Sequence, residues 1–159
     1  MAGSPAAVVS AGALAGVLAF LKDDPETGFA FLMDLAAADY LKFPSPRPGR
    51  FAVSYQLYSP KLGARLCVKA YLPAENPSLP TASGLWAGAD WFEREAWDMY
   101  GIRFEGHPNL KRILMYEEFE GHALRKDYPL GRMQPLVPMR DAIDYEKVRQ
   151  QSRRASNPS

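Results

Sequence analysis

Between Glu93 and Asp127 the chain gathers most of its candidate reactive groups: Glu93, Glu95 and Asp98 within WFEREAWDMYG, His107 and His122 each after a glycine, and the run Arg125-Lys126-Asp127. Clustered carboxylates are the raw material of general acid–base hydrolysis, and Glu93, Glu95 and Asp98 are the residues a hydrolase would use. Residues two apart on a helix point about 200° apart, so Glu93 and Glu95 cannot flank one bond. Asp98 stands four residues after Arg94, an arrangement that pairs the two and holds the acid ionised instead of tuning it. Salt bridging is therefore the expected role. His107 and His122 lack the close spacing of a metal motif, and imidazoles in glycine-flanked turns commonly bond backbone. The chain has neither a glycine-rich phosphate loop nor G-x-S-x-G. Arg125-Lys126-Asp127 could take an anionic ligand or dock as cations on acidic residues of a neighbour.

The rest of the composition narrows the function class. The chain has 159 residues and a net charge of +1, which gives no electrostatic case for nucleic acid. Cys67 is the single cysteine. An iron–sulfur cluster needs about four protein ligands, so Cys67 alone cannot hold one. Residues 6–21 are apolar but fall short of the roughly 20 residues that span a bilayer, and no Lys or Arg precedes them as in a signal peptide.

The elements that position these groups follow from periodicity. WFEREAWDMY reads as a helix, with Asp90 and Glu93 as a capping box and Gly101 at the left-handed position past its end. Phe92, Ala96 and Met99 share a core-facing stripe. Asp90, Arg94 and Asp98 form an acid–base–acid ladder, and Glu93, Trp97 and Tyr100 make a third stripe. Large side chains on two stripes of one short helix leave Trp97 and Tyr100, or part of that stripe, to face a partner or the folded-back C-terminal tail instead of the sheet.

Upstream, Ser10 caps a helix with Leu14, Val17, Leu18 and Leu21 on its apolar face, and Asp24-Pro25 opens a second helix through about Met33. Phe51, Val53, Tyr55 and Leu57 alternate with polar or small residues, as do Leu66, Val68, Ala70 and Leu72. With the 59–63 loop these two runs form an antiparallel hairpin. Cys67 falls on the more polar face as a small packing residue. Residues 43–49 and 73–80 are proline-rich loops, Thr81 caps a short turn, and 102–104 and 113–116 read as short strands around the Gly106-His107-Pro108 turn. Residues 1–128 make one domain. Residues 129–159 make an extended tail containing Pro129, Pro135 and Pro138, with a terminal helix possible over 141–154.

EREAWDMYGIRFEGHPNLKRIL, residues 93–114, resembles the signature of the 30 kDa subunit of respiratory complex I, the NADH–quinone oxidoreductase. The match falls on Glu93, Arg94, Glu95, Asp98, Met99, Tyr100, His107, Lys111, Ile113 and Leu114. GH-LRKDYP continues it at Gly121, His122 and Leu124 to Pro129, and DLAAADYL at 34–41 is similar to a further family segment. The chain departs at Ala123, where the family has proline. The resemblance implies a short strand at 34–41, where alanine content alone favours helix, and an α+β fold with helices packed on a mixed, mostly antiparallel sheet.

It also implies a subunit without a catalytic centre or cofactor, in the hydrophilic arm of a complex that oxidises NADH, reduces quinone and pumps protons. NADH, FMN, the iron–sulfur clusters and quinone would belong to partner subunits. The nearest partners would be the 49 kDa-type subunit of the quinone pocket and the subunits holding the terminal clusters. Glu93, Arg94, Glu95, Trp97, Asp98, Tyr100, His107, His122, Arg125, Lys126 and Asp127 would serve as signature and interface residues, with the cations docking on a neighbour. Membrane association would come only through the complex, on the cytoplasmic side of a bacterial inner membrane or the matrix side in an organelle. The equivalent subunit of a membrane-bound nickel–iron hydrogenase or another related oxidoreductase is the alternative within this lineage. A free-standing hydrolase is the alternative of another class.

Overall fold

The computed structural model describes residues 5–136. Strands β1 (Ala6–Val9), β2 (Phe31–Asp39), β3 (Phe51–Ser59) and β4 (Ala64–Leu72) form one sheet in the order β1-β4-β3-β2. β3 pairs antiparallel with β2 and β4, while β1 runs parallel to β4. The period-2 alternation predicted for the hairpin is present. Phe51, Val53, Tyr55 and Leu57 face the same core as Val68, Ala70 and Leu72, with Tyr55 opposite Val68. Cys67 is on the other face, where Gln56 Nε2 lies 3.4 Å from its sulfur.

Helices α1 (Leu14–Asp23) and α2 (Ala89–Tyr100) both pack on the core side, contributing Leu14, Leu18, Ala89 and Ala96 to one hydrophobic cluster. The architecture is the two-layer α+β arrangement the sequence led us to expect. Short strands β5 (Ser78–Pro80) and β6 (Arg103–Glu105) pair in parallel on either side of α2 in sequence.

Four local expectations are corrected. Residues 6–9, ahead of the predicted first helix and given no element in the sequence, extend the sheet, because β4 has an unpaired edge there and Val8 and Val9 suit a strand. Ser10 precedes a 3₁₀ turn without a side-chain cap. Asp24 does begin a turn, accepting from the N–H groups of Glu26 and Thr27. The second helix does not follow, since Gly28 turns left-handed (φ +52°) and releases the chain into β2. α2 starts at Ala89 with Gly88 as its cap and no capping box. Residues 113–116 are not a strand, for the reason given below. The DLAAADYL segment is a strand as the resemblance implied, running Phe31–Asp39. The terminal helix read at 141–154 lies outside the described residues.

The left-handed stop of α2 is confirmed at Gly101 (φ 72°). A Cβ there would sit 2.5 Å from His122 Nε2 and 2.6 Å from Arg125 Nη2. Gly101→Ala should therefore cost more than the roughly 1–2 kcal/mol of a left-handed backbone alone. Gly63→Ala, with φ +59° and open space around it, carries the backbone strain without the collision. Thermal unfolding of both variants should show Gly101→Ala clearly the less stable.

Candidate functional site

The segment after β6 has no regular secondary structure among residues 106–136, and it is α2 that organises it. The side chain of Asp98 is fully enclosed, and its Oδ2 accepts three successive backbone N–H groups, from Ile113, Leu114 and Met115, at 2.9–3.0 Å. Arg112 Nη1 donates to Oδ1 at 2.6 Å. Three N–H groups turned toward one carboxylate cannot also serve a strand ladder, which is why 113–116 is a bent loop. Arg112 reaches further, donating to the carbonyls of Phe119 and Gly121, with its guanidinium 5.7 Å from the Trp97 ring.

The expected ladder is therefore corrected. Arg94 does not pair with Asp98; it donates to the carbonyls of Lys111 and Arg112 and lies over Trp91. Arg112 takes its place because the same turn delivers the N–H donors as well.

An α-helix leaves its last four carbonyls without intrahelical partners. In α2 each is met. Gly101 N–H donates to Trp97 O, His122 Nδ1 to Asp98 O, Leu124 N–H to Met99 O, and Arg125 Nε to Tyr100 O. The GH-LR motif thus supplies three of the four caps on the helix C-terminus, Gly101 the fourth, and the Arg125 charge suits the negative end of its dipole. The N–H of Ala123 serves none of these bonds, so the departure from proline there costs the cap nothing. Arg125 thus has an internal partner that the sequence reading did not foresee.

At the other end, the fully buried Glu93 accepts from Thr81 Oγ1 (2.5 Å) and the Ala82 N–H (2.6 Å). This draws the loop after β5 onto the helix and explains the absent capping box. His107 is enclosed beside it: Nε2 donates to Asp90 O at 3.2 Å and Nδ1 accepts from the Asn109 N–H. Those two partners place the ring's donor at Nε2 and its acceptor at Nδ1. Glu93 Oε2 is 3.9 Å from the ring nitrogen.

The third anchor is Asp39, at the end of β2. Its side chain is fully buried and accepts from Arg50 and from the N–H groups of Leu41 and Lys126. Arg50 also bridges to Asp127 at 2.6 Å, which ties the RKDYP stretch to the sheet. The rings and cations interleave here too, with Arg50 and Arg125 both over Phe51.

Burial disfavours the charge on Asp98 and Asp39, but their donors outweigh it and hold both carboxyls below the usual carboxylate range. Burial wins at Glu93 and pushes its carboxyl up, despite Thr81 and Ala82. It also pushes the His122 imidazole down. The two aspartates thus release protons more readily folded than unfolded. Their stabilisation is fully present above about pH 5 and is lost as pH falls below the ordinary Asp value near 4. Glu93 has the opposite sign, its contribution falling as pH rises through the ordinary Glu value near 4.3. Urea midpoints measured from pH 6 down to pH 3 should drop on the acid side, and Asp98→Asn should flatten that drop.

The structure does not bring the three carboxylates of a hydrolase to one place. Glu93 faces Thr81, Asp98 faces residues 112–115, and Glu95 is exposed beside a cleft of about 200 Å³ between β2 and α2. Tyr100 lines that cleft with Asp34 and Leu35 of β2, so it faces the sheet, contrary to expectation. Its stripe partner Trp97 does turn away, edge-on to His122. Ala96 and Met99 are buried as predicted, and Phe92 packs half-buried against the core. Among the described residues no three of His, Cys, Asp and Glu converge as a metal site, and no helix is long and apolar enough to cross a membrane. Asp39, Arg50, Thr81 and Arg112 were missed in the sequence. Asp39 had a signal there, as an acid two and four residues from Ala37 and Leu35 on the inward face of a strand, and Thr81 had one as the cap of a short turn, where its Oγ1 accepts from the Ser83 N–H.

A family model described as the respiratory-chain NADH dehydrogenase 30 Kd subunit matches residues 7–134. The chain is 52% identical over 114 residues to NADH-quinone oxidoreductase subunit 5 of Thermus thermophilus, covering 69% of this chain and 55% of that protein. It is 52% identical over 115 residues to an NADH-quinone oxidoreductase subunit of Roseiflexus sp., covering 72% and 64%. The match thus spans less than two thirds of either relative. Among solved structures, the trypsin-resistant fragment of Nqo5 superposes with a TM-score of 0.62 at 44% identity, covering 66% of this chain and 81% of that one. A chain in the structure of an archaeal membrane-bound sulfane sulfur reductase shares the fold with a TM-score of 0.61 at 21% identity, covering 95% and 81%.

Proposed function

Since the chain belongs to the family of the respiratory-chain NADH dehydrogenase 30 kDa subunit, we propose that it is a structural subunit in the hydrophilic arm of an NADH–quinone oxidoreductase. It docks beside the 49 kDa-type subunit and the subunits of the terminal iron–sulfur clusters, on the cytoplasmic face of the membrane. It has no catalytic centre of its own, and NADH, FMN, the clusters and quinone are held by its partners. One observation supports the scaffold reading above others. The conspicuous polar groups of the signature are spent on internal bonds: Glu93 on Thr81 and Ala82, Asp98 on Arg112 and three amides, His122 and Arg125 on helix carbonyls. Beside exposed charges such as Lys111, Glu117 and Lys126, the segment leaves large apolar side chains outside, with Leu114, Leu124, Leu130 and Met133 exposed. Such residues are typical interface material.

The test is recovery of the tagged chain from gently solubilised membranes of its source, with co-purifying proteins identified by mass. The quinone-site and iron–sulfur subunits should come with it in near-equal amounts. Recovery of the chain alone, or hydrolytic turnover by the isolated chain, would overturn the reading.

A further inference from the structure

At the end of the sheet where Asp39 holds Lys126, a groove of about 270 Å³ runs between Lys42, on the loop after β2, and residues 123–130. Leu124, Lys126, Tyr128 and Leu130 form its walls, and among the described residues no carboxylate lines it. The two acids at this end, Asp39 and Asp127, are both occupied by Arg50. Among the described residues, Lys42, Arg47 and Lys126 make no ion pair. Arg47 instead lies over the rings of Tyr40 and Phe43. Around these three cations Leu41, Phe43 and Leu124 are each nearly half exposed, and Leu130 fully so. In a chain with a net charge of only +1, two lysines that make no ion pair among the described residues, Lys42 and Lys126, therefore line one groove with the exposed Leu124 and Leu130, and Arg47 lies on the same loop as Lys42.

We propose that this groove docks an acidic segment with apolar side chains, supplied by a neighbouring subunit; the inference rests on the assembly proposed above. Charge decides among the occupants. Residues 137–159 of this chain carry five Lys or Arg against three Asp or Glu, so they are repelled. A second copy docking patch to patch would set like charges against each other. An acidic segment meets both features of the groove, with carboxylates on Lys42 and Lys126 and apolar residues between Leu124 and Leu130.

The test uses the assembled complex from source membranes. Carbodiimide coupling joins an amine directly to a carboxylate, so it should link Lys42 or Lys126 to an Asp or Glu of a different subunit. The double reversal Lys42→Glu/Lys126→Glu should reduce recovery of partner subunits by about tenfold or more, because two attractions become repulsions. Lys69→Glu, on the sheet face opposite the core, should stay within about twofold of the parent chain. Both lysines of the groove are exposed, so the thermal midpoint should hold; if it falls, the cross-links on the unsubstituted complex decide. Undiminished recovery of the double variant, or links only to a second copy or to residues 137–159, overturns the proposal. So does a double variant that keeps its subunits but loses binding of the isolated chain to phosphatidylglycerol vesicles, which would assign the groove to lipid. Failure of the unsubstituted chain to recover any subunit would instead overturn the assembly reading.

Discussion

Asp98→Ala is expected to be the most damaging single substitution in the signature, costing about 3–5 kcal/mol of folding stability. The carboxylate is fully buried and holds four donors at once, so its removal leaves Arg112 and three amides without their shared partner. The damage should be local as well as global. Hydrogen exchange at the amides of Ile113, Leu114 and Met115 should accelerate even where the rest of α2 stays protected. Asp98→Asn retains one acceptor oxygen and should lie between the parent and alanine. Urea unfolding of the three proteins gives the order directly. An Asp98→Ala chain as stable as the parent would mean that the 112–115 turn is held by something else.

Asp39→Ala should come second, at about 3 kcal/mol, through the same kind of loss. The difference lies in the cation. Arg50 keeps Asp127 when Asp39 is removed, whereas among the described residues Asp98 is the only carboxylate that Arg112 has. The amides of Leu41 and Lys126 still lose their acceptor, so the link from β2 to the RKDYP stretch is broken. Asp39→Asn, which keeps an acceptor for one of those amides, should recover part of the loss. A double variant of Asp39 and Asp127 should exceed the sum of the singles, because it leaves the largely covered Arg50 without any carboxylate. Thermal unfolding of the four proteins measures that coupling.

These two anchors also mark where sequence reasoning succeeds and where it stops. The β3–β4 hairpin is legible because its apolar alternation and short connecting loop are local, and Gly101 is legible because the end of a helix makes a local demand. The Asp90–Glu93 capping box met every local rule and still failed. Thr81 and Ala82, brought in from twelve and eleven residues upstream, offered Glu93 better donors than the helix's own first turn. Arg94 and Asp98 satisfied the i, i+4 rule equally well, yet the tertiary turn at 112–115 offered a cation together with three amides. β1 could not be read from AAVV because its pairing with β4 spans about sixty residues of sequence and depends on a free edge. The bond from Arg125 to the end of α2 could not be read either, because the unmet carbonyls of the helix become visible as a demand only once the chain has folded back.

The central claim is that the conspicuous carboxylates of this chain build and dock a subunit and do no chemistry. Its most direct measurement is NADH–quinone turnover per assembled complex in membranes from cells carrying Glu93→Gln, Glu95→Gln or Asp98→Asn. Activity should fall only in proportion to the amount of complex assembled, leaving turnover per complex within about twofold of the parent. A variant that assembles to the parent level but loses turnover tenfold or more would place that carboxylate in the reaction and contradict the account.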